Sequence, residues 1–294
     1  MKKFVVVGLI VLLLMGVVMA FNPAKEAKKV SIPANALKIS PNTYYLGKAI
    51  DKKSGKVVEG YAFVKYKKSF GKPGTECGNG VCEPGENARN CPVDCGGNSD
   101  SSTCYAFISR GAKWRTVEDY IVNPNNADGL DENFIRDNIA YDISKWEDAA
   151  DGLLDDNSVD ILGNEVAGVV DGADTSSPDD KNEVYFGDVA ESGAIAVTIV
   201  WYTIGPPFAR EIVEWDMVFD DYDFDWANCS LSDCTQKMDF ENIATHELGH
   251  AVGLDDLYDD TCSEETMYGY ANYNETKKRT LEAGDIAGVS ELYS

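Results

Sequence analysis

The stretch HELGHAVGLDD, His246 to Asp256, decides how the rest of the chain is read. His246 and His250 stand four residues apart, so on a helix both imidazoles lie on one face and can meet a single ion. Glu247 sits beside them. These two are the only histidines in the chain, and two histidines would fall at this spacing with Glu after the first on the order of once in a thousand such chains or less. A pair of ordinary core histidines is therefore a weak competing account. The pattern predicts a helix over Phe240 to Val252, with Asp239 as its N-cap and Gly253 in the left-handed conformation that ends it.

A zinc ion used in catalysis takes three protein ligands and keeps one position for water. The helix supplies two. Asp256, six residues beyond His250, falls where sequences of the form HExxHxxGxxH place a third histidine. A carboxylate serves zinc, but its charge makes the bound water somewhat less acidic than three neutral imidazoles would. Asp255 and Asp259 are alternative ligands. Glu264 and Glu265 would serve if the third ligand came from a later glutamate.

Upstream of this helix the pattern is mixed. Phe134, Ile135, Ile139, Ile143 and Trp146 recur at helical spacing between Asp131, a natural N-cap, and Ala150, and that stripe reads as core. Strands are expected at Glu183 to Phe186, Gly193 to Tyr202 and Glu211 to Phe219, where β-branched and aromatic residues concentrate. The acidic loops Asp171 to Asp180 and Asp220 to Asp225 read as solvated turns or as structural calcium sites. Cys229 and Cys234 are close enough in sequence to staple the loop before the helix, which leaves Cys104 for Cys262.

Further toward the N-terminus, Tyr44 to Ile50 and Val57 to Tyr66 alternate around a Gly-containing turn, the signature of a hairpin and thus of a small β unit. Cys77 to Cys95 carries four cysteines among Gly, Pro, Asn and acidic residues and cannot build an apolar core; two disulfides are expected there rather than a four-cysteine zinc site. Asn79, Glu83, Glu86, Asn90 and Asp94 offer oxygen ligands for calcium. Residues 96 to 103 read as a linker and a cleavage region.

Met1 to Ala20 has the basic start, apolar run and small-residue end of a secretory signal, so export is expected. An uncleaved membrane anchor is the competing reading, although the apolar run is slightly short for it. Eight cysteines, an even number, fit an oxidising exterior. The net charge of −24 is uneven: residues 21 to 76 carry +8 and residues 77 to 294 carry −34. Two such parts attract: the basic segment reads either as a solvated stretch beside an acidic surface that serves solubility or salt tolerance, or as a pro-region lying on the acidic domain, and so acidic a body argues against nucleic acid as a partner.

The stretch from Cys104 to Ser294 resembles the metzincin zinc endopeptidases and, among them, the matrixins. The likeness rests on THELGHAVGL (245–254), EIVEWDMVF (211–219), TMYGY (266–270) and ETKKRTLEAGDIAGVSELY (275–293). It implies an α+β fold: a mixed twisted sheet with an antiparallel edge strand, two long helices and a C-terminal helix over Ala283 to Tyr293. It further implies one catalytic zinc held by His246, His250 and Asp256, with Glu247 as general base in the hydrolysis of peptide bonds in protein substrates. Met267 would form the methionine turn beneath the ligands. Together, Gly253, Asp256 and Met267 argue against a later glutamate as the third ligand.

By the same resemblance, Gly193 to Tyr202 would be the upper edge strand that receives substrate backbone, placing Ala194 and Ala196 in the substrate-binding set. Tyr268 or Tyr270 would border the site and assist the oxyanion. Three departures stand out. Asp256 replaces the usual histidine and is similar to the arrangement in snapalysin. No histidines remain for the matrixins' structural zinc. The matrixin cysteine switch PRCGxPD is not present, so latency through residues 21 to 76 would need another device. A calcium-dependent cell-surface binding module, with a vestigial zinc site, is the alternative from a different class.

Overall fold

The computed structural model describes residues 28–68, 103–150 and 159–294. The expected signal segment, the four-cysteine stretch and the linker up to residue 102 lie outside the described residues. Among those described, no helix is long and apolar enough to cross a membrane.

Among the described residues the apolar runs assemble into one nine-stranded mixed sheet and three α-helices. The strands are β1 (Lys29–Val30), β2 (Leu37–Lys38), β3 (Thr43–Ile50), β4 (Val57–Lys67), β5 (Tyr120–Asn123), β6 (Asn182–Val189), β7 (Ala194–Thr203) and β8 (Ile212–Asp220). Two short strands, β9 (Trp226–Ala227) and β10 (Met238–Asp239), form a separate parallel pair, and β11 (Tyr270–Ala271) joins the main sheet. The helices are α1 (Glu132–Ala150), α2 (Phe240–Val252) and α3 (Ala283–Tyr293).

The sheet runs β1-β6-β8-β7-β4-β3-β2, with β5 added on β6 and β11 on β4. β5, β6 and β8 are parallel, while β7 is antiparallel to β8 and to β4. Every residue of β7 is buried, which requires cover on both faces of the sheet. One face carries α1, α2 and the large core of Phe63, Trp146, Trp215, Phe219 and Phe240. The other is closed by a smaller cluster that includes Leu46, Val64, Val170, Tyr185 and Trp201.

The α+β class and the three helices agree with the sequence reading. Asp131 accepts from the amides of Asn133 and Phe134, the capping geometry its position suggested. The disulfides Cys104–Cys262 and Cys229–Cys234 are both formed. Two details differ. The hairpin of β3 and β4 is not a separate unit but part of the main sheet. As a result β7 is not an edge strand: β4 pairs with it from Val58↔Thr203 to Tyr66↔Ala194. Sequence periodicity fixes which residues form strands, not which strand lies beside which, and the partners here are about 140 residues apart in the chain.

Candidate metal centre

The site is built on α2, whose ends are pinned. The Asp239 carboxylate accepts from the Asn242 amide at 2.9 Å and also meets the Arg279 guanidinium. At the other end Gly253 has φ +114°, and a Cβ there would meet the Ala112 carbonyl at 2.6 Å. Only glycine fits both demands. Trp146 on α1 and Trp114 bond the helix backbone at Thr245 and Ala251, which fixes the rotation of α2 against its neighbours.

Both imidazoles are oriented by main-chain carbonyls. Nδ1 of His246 donates to Thr266 at 2.6 Å and Nδ1 of His250 donates to Leu254 at 2.9 Å. Each bond fixes the tautomer and makes Nε2 the nitrogen whose lone pair would bind a metal. Gly253 turns the chain back, and Asp256 Oδ1 arrives 3.3 Å from Nε2 of His246 and 3.7 Å from Nε2 of His250. Ligands about 2.0–2.1 Å from a tetrahedral ion stand about 3.3–3.4 Å from one another, so this spacing suits one zinc. Asp256 Oδ1 is buried and accepts no hydrogen bond from any of the described residues, while Oδ2 accepts from the Tyr258 hydroxyl at 3.1 Å. An orphaned carboxylate oxygen facing two imine nitrogens is the donor set that a divalent ion completes.

The competing carboxylates are engaged elsewhere. Asp255 accepts from the Asp256 amide, Asp259 caps the short turn Asp260–Cys262, Glu264 pairs with Lys277, and Glu265 accepts from Gly284 at the start of α3.

Glu247 lies beside the triad and is fully buried. Thr198 on β7 donates to its Oε2 at 2.6 Å, and Oε1 has no hydrogen-bond partner among the described residues. In the absence of a metal, burial pushes Glu247 up to about 8. Burial, with Lys65 adding to it, depresses His246 to about 3, and burial lowers His250 as well. Asp256 is held low: burial opposes its charge, but the ring nitrogens and Lys65 outweigh it. The site is thus set up as two neutral bases and one anion.

Met267 is buried beneath this group, its thioether packed where Gly249, between the two histidines, leaves room. The turn that carries it is tied to α3: Asp285 accepts from the amides of Thr266 at 2.8 Å and Met267 at 3.1 Å. Tyr268 is buried, with its hydroxyl on Asp260, and Tyr270 is half-buried on β11. Ala194 and Ala196 lie on β7 opposite Tyr66 and Lys65.

Three further residues reach the site. Thr198 and Tyr258 hold the carboxylates just described. Lys65, fully buried on β4, places Nζ 3.1 Å from both ring nitrogens of His246 and 2.6 Å from the Tyr268 carbonyl. Burial, reinforced by Lys278, pushes Lys65 down to about 7. Tyr258 carried a weak signal, two residues past Asp256. Lys65 and Thr198 carried none, because only the pairing of distant strands brings them in.

Away from this centre, the acidic loop expected as a calcium candidate brings Asp174 and Asp179 together with Glu214 of β8, their oxygens within 4.8 Å of one another. Asp220, in the other candidate loop, is spent on the amides of Val189, Tyr222 and Asp223.

Residues 180–294 match the family model described as Matrixin, a stretch running from β6 through β7, β8, α2 and Met267 to the end of α3. No curated protein matches the chain. From β6 to its last helix, the chain is thus similar to the matrixins, the family that its HExxH helix and Met267 turn resemble.

Proposed function

We propose that the protein is a secreted zinc-dependent endopeptidase, with His246, His250 and Asp256 as the zinc ligands and Glu247 as general base. The observation that carries this reading is the convergence of two neutral Nε2 atoms and an orphaned Asp256 oxygen beside a buried, half-satisfied glutamate. A zinc ion bound there would polarise the scissile carbonyl and acidify water.

The residues around it supply the rest. Glu247 takes the water's proton on Oε1, the oxygen without a partner, and passes it to the departing amine. Thr198 holds Oε2 and so fixes the direction of that transfer. Tyr258 holds the outer oxygen of Asp256, leaving Oδ1 for the metal. Tyr270, at the rim beside β4, is the better placed of the two tyrosines to reach substrate, since the Tyr268 hydroxyl is already bonded to Asp260.

The test compares wild type with Glu247→Gln after limited proteolysis on the N-terminal side of Cys104. Zinc content should stay near one equivalent in both. Casein cleavage should fall at least about 100-fold in the variant, the usual scale for loss of a general base. Cleavage that survives the substitution, or a protein that takes up no zinc, contradicts the assignment.

A further inference from the structure

The hairpin of β3 and β4 lies where a substrate would. β7 pairs on one side with β8 and on the other, along its whole length, with β4. An extended peptide can bind a sheet edge only through free amide and carbonyl groups, and β4 has taken those of β7. Phe63 and Lys65 both point from β4 toward α2. The Phe63 ring stacks on His250 with centroids 4.4 Å apart, and the Lys65 amine reaches His246. Further contacts lock the hairpin over the cleft. Asn42 donates from its side chain to the Gly269 carbonyl at 2.6 Å and from its amide to the Tyr258 hydroxyl at 3.2 Å. β11 pairs with the end of β4 at Tyr66 and Lys67.

Lys65 meets the centre with its side chain and not with a peptide carbonyl. Successive strand side chains alternate between faces, so a residue that aims its side chain at the metal turns its own carbonyl along the sheet toward β7 or β3. β4 therefore fills the cleft without presenting a scissile bond. A lysine is suited to this place, since its long stem spans from strand to site and its amine, held by the Tyr268 carbonyl, lies beside Nε2 of His246.

We propose that residues 29–67 are a built-in inhibitor of this site: β4 occupies the substrate's edge of β7, and the Lys65 amine occupies the position that the attacking water needs. The proposal rests on the peptidase reading above and names the regulation of that same site. It also gives the basic N-terminal segment a latency device that uses an amine in place of a thiol.

The test uses the full chain, loaded with cobalt(II) as a spectroscopic stand-in for zinc, and acetohydroxamate as a small ligand for the open metal position. Wild type, Lys65→Ala and Lys65→Met are titrated, with circular dichroism to confirm folding. Lys65→Met keeps the apolar stem if the alanine variant misfolds. Acetohydroxamate should shift the cobalt spectrum of the variants at concentrations at least tenfold below those needed for wild type. Cobalt uptake by the variants at concentrations at least tenfold below those that wild type needs supports the proposal equally. Equal response in wild type and variants, or no response in any cobalt-loaded form, overturns it while leaving the metal centre intact. Failure of every form to bind cobalt would instead remove the peptidase reading on which the proposal rests.

Discussion

At the scale of single residues, the site divides into groups that bind and groups that aim. Thr198 belongs to the second kind, because among the described residues its hydroxyl is the sole hydrogen-bond donor to the Glu247 carboxylate. Thr198→Val should lower kcat of the activated enzyme about tenfold to 100-fold, the value of one hydrogen bond to a charged group, with KM little changed. Steady-state kinetics on a peptide substrate decide this; a rise in KM alone would place Thr198 in substrate binding instead. The histidines, Glu247 and Asp256 were legible in the sequence because ligand spacing on a helix and after a glycine turn is local information. Lys65 was not. It is one of 12 lysines between residues 21 and 76, and nothing local separates it from its neighbours. Its burial depends on the pairing of β4 with β7.

At the scale of elements, α2 and the methionine turn are held from outside. Asp285 accepts three backbone amides, those of Glu282, Thr266 and Met267. Asp285→Ala leaves them without a partner in a buried setting, so a loss of about 2–4 kcal/mol in unfolding free energy is expected, with weaker zinc binding, as measured by denaturant titration and metal competition. Gly253→Ala should cost on the order of 1–3 kcal/mol or more, because φ +114° is strained for any side chain and the Ala112 carbonyl occupies the space. Both helix ends were readable from Asp239 and Gly253, since caps are written in single residues. The sheet was readable strand by strand but not in its order. The resemblance implied that β7 is an edge, and nothing in its own residues marks the strand that lies beside it.

At the scale of the whole molecule, two consequences follow from how the parts are joined. If β4 blocks the cleft, active enzyme should lack residues 29–67. N-terminal sequencing of the species that cleaves casein should therefore begin beyond Lys67. The outer face of the sheet carries a second charge feature. Burial raises Glu214 to about 9 and Asp174 to about 6, and it pushes Asp216 well up, with neighbouring carboxylates reinforcing each. These acids keep protons in the folded state that the unfolded chain, with ordinary values near about 4, has released. Stability from this cluster is therefore greatest below about pH 4 and falls as pH rises toward about 9. Glu214→Gln, which mimics the protonated acid, should raise Tm relative to wild type at pH 8.5 and change it little at pH 5. A Tm difference independent of pH would show that the cluster is not protonated as described.

The central claim is that one ion is held by two histidines and an aspartate, and it is tested most directly by anomalous scattering at the zinc edge from crystals of the zinc-loaded full chain. One peak is expected about 2.0–2.2 Å from Nε2 of His246, Nε2 of His250 and Oδ1 of Asp256. A peak that leaves Asp256 unbound, or zinc found only elsewhere in the molecule, would contradict it.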